Sequence, residues 1–115
     1  MKSGGLAAFA ARWRAAYGED PPLSIAAQVY DEVMLWADAV KRTGSATNYA
    51  AVSQALQHSD YKGVTGTIKF NSQYYVQASD ATQPPQLLQA QSGKMKQLMI
   101  GSRTVAAFVK PAWLN

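Results

Sequence analysis

The apolar residues change their period near His58, which restricts the chain to a mixed α/β architecture with helices first and strands after. Upstream, Ile25, Val29, Val33, Trp36 and Val40 recur at steps of three and four, the repeat of one helical face, and Ala26, Tyr30, Leu35 and Ala37 widen it. Downstream, Val64, Gly66, Ile68 and Phe70 alternate with Thr65, Thr67 and Lys69, so successive side chains fall on opposite faces of a strand.

The punctuation agrees with that division. Leu6, Phe9, Ala10, Trp13, Ala16 and Tyr17 form a first helical stripe closed by Gly18, and Glu19-Asp20-Pro21-Pro22 separates it from the next helix. The second helix is expected from Leu23 or Ser24 to about Arg42. Lys41 and Arg42 suit the negative end of its dipole, and Gly44 suits a left-handed stop. Thr47 or Asn48 caps a third helix reaching about Gln57, with Tyr49, Val52 and Leu56 on one side. After a break at His58-Ser59-Asp60, a strand over 64–70 turns at Asn71-Ser72-Gln73 into a return strand over 74–77. Residues 79–85, with two prolines, read as a loop. Strands over 86–91 and 95–100 follow, joined by a tight turn at Ser92-Gly93-Lys94, and residues 104–113 suit either a short helix or a strand.

A length of 115 residues allows one domain, taken here as 1–115 with a flexible start over 1–5. The 48% apolar and 16% charged content is that of a globular chain short of surface charge, which leaves room for a buried interface. The absence of cysteine removes disulfides, thiolate metal sites and thiol nucleophiles without fixing the compartment. The opening Met-Lys-Ser-Gly-Gly-Leu-Ala-Ala-Phe-Ala-Ala imitates a signal peptide, but its apolar run from Leu6 to Ala11 is short and Arg12 follows at once, so it reads as a helix entry. No stretch is long and apolar enough for membrane insertion as a span. The net charge of +4 is uneven: Lys94, Lys96, Arg103 and Lys110 stand in residues 94–115 without an acid. Such asymmetry could steer nucleic acid or an anionic lipid surface, but these cations come singly between apolar residues, which favours solvated charge over either.

No catalytic constellation is visible. His58-Ser59-Asp60 are sequence neighbours, whereas a triad is assembled from distant parts, so His58 reads as a loop residue. One histidine and scattered carboxylates give no metal-ligand spacing, and no cofactor motif is present. Asp31 and Glu32 diverge on a helix, and Asp31 with Asp38, seven residues apart, reads as a solvated edge. Gly63-x-x-Gly66 leads into a strand, where a phosphate loop would lead into a helix.

Taken in order, Ala26, Tyr30, Asp31 and Val33 on a Pro-opened helix, then Gly63, Gly66, Ile68, Phe70 and Asn71, then Gly93-Lys94 and Pro111-Ala112-Trp113, resemble the C-terminal part of type I periplasmic solute-binding proteins. These are the branched-chain amino-acid and amide binders of ABC importers, non-enzymatic proteins that close two lobes on a small ligand. The resemblance implies a partial lobe of that fold, three helices followed by a β-hairpin and two further short strands, with the other lobe upstream of Met1 and the ligand cleft incomplete. It implies a periplasmic relative, although no export signal is read here. It carries over Ile25, Ala26 and Tyr30 as ligand contacts, while periodicity alone makes them core residues. Glu32 stands where small residues are common, Tyr74 where the family turns on glycine, and Met99-Ile100 where a proline is common. An apolar face over 25–40 deprived of its partner is expected to drive homo-oligomerisation, with a dimer favoured; a small apolar amino acid or amide is the ligand the resemblance implies. The alternative is a small structural scaffold whose oligomer interface binds a new partner.

Overall fold

The computed structural model describes residues 4–22 and 25–114. Three helices, α1 (Gly4–Tyr17), α2 (Ile25–Thr43) and α3 (Tyr49–Gln57), precede five strands: β1 (Asp60–Lys62), β2 (Thr67–Lys69), β3 (Gln86–Gln91), β4 (Lys94–Ile100) and β5 (Arg103–Thr104). The expected α/β order of helices followed by short antiparallel strands is therefore present. The chain divides into two compact units, residues 1–77 and 78–115. Most of the flexible start expected over 1–5, and the helix start expected at Leu23 or Ser24, lie outside the described residues; Gly4 and Gly5 already belong to α1.

In the first unit the helix ends follow local chemistry. Gly18 and Gly44 take φ of 74° and 69°, and their N–H groups close the last turns on the Arg14 and Val40 carbonyls. The Asn48 side chain accepts from the Ala51 N–H, capping α3. Helix α1 meets α2 through rings: Phe9 lies 5.4 Å from Tyr30 and 6.0 Å from Trp13. Helix α2 buries Ala27, Leu35 and Ala39, and α3 buries Val52. The two small alanines let a neighbouring backbone come close. Tyr49, expected beside Val52, is exposed, as are Leu6 and Tyr17 of the α1 stripe. Arg42 fastens the end of α2, bonding Asp38 Oδ2 at 2.8 Å and the buried Ser59 Oγ at 2.8 Å.

Strands β1 and β2 form an antiparallel hairpin with Asp60 opposite Lys69, Tyr61 opposite Ile68 and Lys62 opposite Thr67. Strand β1 falls where the sequence reading placed a break, and the strand expected over 64–70 is confined to 67–69. Both differences have one cause: residues 63–66 are the hairpin loop, and the alternation of Val64 and Gly66 belongs to that loop. The return strand over 74–77 shrinks to a single bridge, Phe70 with Val76. The Asn71 carboxamide oxygen accepts from the Gln73 and Tyr75 N–H groups and holds that turn. Tyr74, where the resemblance led glycine to be expected, takes a left-handed φ of 65°, which costs a residue with a Cβ about 1–2 kcal/mol.

In the second unit β4 lies between β3 and β5 in a three-stranded antiparallel sheet. The β3–β4 turn is the expected tight one, with Ser92 and Gly93 at φ of 51° and 74°, the two positive values of a type I′ turn. Residues 105–114 extend neither into a helix nor beyond the two-residue β5. They cross to β3, where the Gln89 side chain donates to the Val109 carbonyl and accepts from the Val109 N–H, and Gln91 donates to the Ala107 carbonyl.

Candidate functional site

Two motifs 33 residues apart in sequence, the Tyr-Asp helix and the Gly-x-x-Gly loop, meet at one carboxylate. Asp31 is 1% exposed. Its Oδ1 accepts from the Val64 N–H at 2.8 Å, and its Oδ2 accepts from the Thr65 N–H at 2.8 Å and the Thr65 hydroxyl at 2.5 Å. The loop closes on itself through Gly63 N–H to the Gly66 carbonyl at 2.8 Å. A Cβ on Gly63 would overlap the Asp31 carboxylate, so glycine is required there to let the loop reach the helix. The solvated edge expected for Asp31 and Asp38 is corrected. Asp31 sits in the buried row with Ala27, Leu35 and Ala39, two residues on from Ile25, Val29 and Val33 and so on nearly the opposite side of the helix from the row the spacing selects, and only Asp38 is partly exposed. The missed signal was an acid at steps of four from Ala27, Leu35 and Ala39, matched by a glycine-bounded loop whose Val64 and Thr65 donors turn to that carboxylate.

This bridge fixes the first turns of α2, where the carried-over residues lie. Ile25 is 67% exposed, while Ala26 and Tyr30 are half-buried. Tyr30 is held by the Phe9 ring on one side. The structure thus brings Tyr30 beside the aromatic row of α1 and leaves Ile25 open, so periodicity misassigns Ile25 to the core. Trp13, 4.6 Å from Tyr17 in that row, has an enclosed indole N–H with no acceptor among the described residues. Tyr61, on β1, belongs to the same neighbourhood. Burial first, and then repulsion by Asp31, Tyr30 and Asp38, raises its phenol above the ordinary value. Val29, Val33 and Trp36 continue the exposed row from Ile25 along α2.

The chemistry available is that of packing and hydrogen bonding. Among the described residues no group of three metal-ligating side chains is assembled. His58 turns its Nδ1 to the Gln54 carbonyl at 2.8 Å, a local contact at the end of α3. No helix among the described residues is long and apolar enough to cross a membrane.

A family model described as "Periplasmic binding protein" matches residues 1–95. The chain belongs to the periplasmic binding protein family. The match spans both motifs that meet at Asp31 and reaches the β3–β4 turn, so the type I resemblance holds over most of the chain. No curated protein and no solved structure matches the chain significantly. Members of the family bind small solutes and are generally not enzymes. For this periplasmic binding protein, the Asp31 bridge then accounts physically for why Tyr30-Asp31 and Gly63-x-x-Gly66 occur together.

Proposed function

We propose that this chain is a non-enzymatic solute binder of the branched-chain amino-acid and amide class that serves ABC importers, with Ile25, Ala26 and Tyr30 on its ligand side. The observation that carries the reading is the family match over residues 1–95. The exposed Ile25 and the half-buried Tyr30 at the start of a helix clamped by Asp31 support it, because they offer an apolar contact and a phenol on a rigid element. A titration of thermal stability with leucine, isoleucine, valine and short aliphatic amides is expected to give a saturable rise. Ile25→Asp is expected to abolish that rise without unfolding the protein. A flat response to every member of the series sinks the reading.

The wall facing this surface is, in this reading, a second copy of the chain. Ile25, Val29, Val33 and Trp36 are 67%, 51%, 59% and 49% exposed, and they run about 16 Å along α2. A contiguous apolar row of that length is costly in water, and a two-fold pairing of α2 with itself covers both copies at once. Sedimentation equilibrium is expected to show a dimer that Val33→Glu dissociates. A monomer at all micromolar concentrations removes the argument. A stable dimer with no ligand response favours the scaffold alternative, in which the interface serves another partner.

A further inference from the structure

We infer that the second unit carries a basic, aromatic surface that adsorbs to anionic lipid headgroups, a partner the solute-binding reading does not involve. The sheet register makes the case. Directly opposed residues of an antiparallel pair point to the same side of a sheet, and Gln89 is opposite Lys96 while Gln91 is opposite Lys94. The side chains of Gln89 and Gln91 bind the backbone at Val109 and Ala107, so the tail is tied to the face that carries both lysines, and Lys110 follows directly. Two cations that stand singly in the sequence thereby share one face of a small sheet, and the tail that carries a third is tied to that face.

The apolar partners on that tail are unusually open. Trp113 is 80% exposed, Phe108 59% and Val109 55%. Among the described residues, none of Lys94, Lys96 and Lys110 forms an ion pair. Asp80, the one acid of the unit, spends its carboxylate on the Ser102 N–H and hydroxyl, and those bonds hold its pKa below the ordinary value. A surface with uncompensated lysines beside an open tryptophan and phenylalanine matches a headgroup layer, where charge meets phosphate and rings rest at the boundary. A nucleic acid would engage the same lysines, but it offers no apolar layer to the Val109, Leu114 and Phe108 side chains.

Co-sedimentation of the full chain with phosphatidylcholine vesicles, with and without phosphatidylglycerol, tests the inference. Binding is expected only to the anionic vesicles and is expected to weaken as salt rises. Replacing Lys94, Lys96 and Lys110 by Gln should lower partitioning by about fivefold per lysine, on the order of a hundredfold together. Trp113→Phe should remove most of the quenching of tryptophan fluorescence by brominated lipid while the protein stays bound. Equal binding to neutral and anionic vesicles, or no binding at low salt, overturns the proposal. So does full competition by soluble polyglutamate or DNA at matched charge, which would make the surface a reader of polyanions rather than of a lipid boundary. Because the wild-type comparison needs no variant, a variant that fails to fold does not shelter the idea.

Discussion

The two units of the chain use the same device and bury it to different depths. In the first, Asp31 takes the N–H and hydroxyl of Thr65 from a loop whose glycine, Gly63, leaves room for the carboxylate. In the second, Asp80 takes the N–H and hydroxyl of Ser102 from a turn whose glycine, Gly101, does the same. Asp31 is enclosed, whereas Asp80 is open to water. Water competes for the exposed carboxylate and for its donors, so the second clasp organises a turn with little net gain. The first has no substitute partner when broken. The cores follow the same division: among the described residues Phe9, Ala27, Leu35, Ala39, Val52 and Ile68 are buried in the first unit, and Leu98 in the second.

The largest effect should come from removing the buried clasp. Asp31→Ala strands two N–H groups and a hydroxyl, with an expected cost of about 3–4 kcal/mol in urea denaturation. A loss no larger than that of Asp80→Ala would erase the contrast between the units. Gly63→Ala should come next, at about 2–3 kcal/mol, because the overlapping carboxylate is packed and cannot retreat. Gly101→Ala should cost less, about 1–2 kcal/mol, mostly from its φ of 58°, since the exposed Asp80 side chain can swing away.

Two smaller effects appear in the pH profile. The Ser102 bonds lower the pKa of Asp80 below 3.8, so their contribution is present above that value and is lost as pH falls through the folded pKa. Asp80→Asn should flatten that acid limb, as followed by amide exchange in residues 78–104. The Tyr61 phenol has the opposite sign. Its folded pKa is raised above 10.0, so stability holds below that pH and declines as the unfolded chain ionises first. Tyr61→Phe should remove this alkaline decline, and an unchanged alkaline limb would show that Tyr61 does not sense the Asp31 neighbourhood.

Much of the fold was legible because local rules marked it. Gly18, Gly44 and Asn48 end or begin helices where their backbone and side-chain chemistry predicts, and Ser92-Gly93 makes the hairpin turn. Strand β1 escaped because Asp60-Tyr61-Lys62 has neither length nor apolar alternation and exists only through pairing with β2. The loop at 63–66 was mistaken for strand because its register depends on Asp31, a residue that sequence spacing gives no reason to place nearby.

By itself the sequence determined the order of elements, their caps and turns, and the family, since each rests on interactions within a few residues or on motifs kept in order. Only the tertiary structure decided which row of α2 is inside, that a lone aspartate is the link between two motifs, and that the tail bearing Lys110 is tied to the sheet face that carries Lys94 and Lys96. Those outcomes depend on what packs against what: a helix with apolar residues on several sides has no preferred face until α1, α3 and the β1–β2 loop claim one.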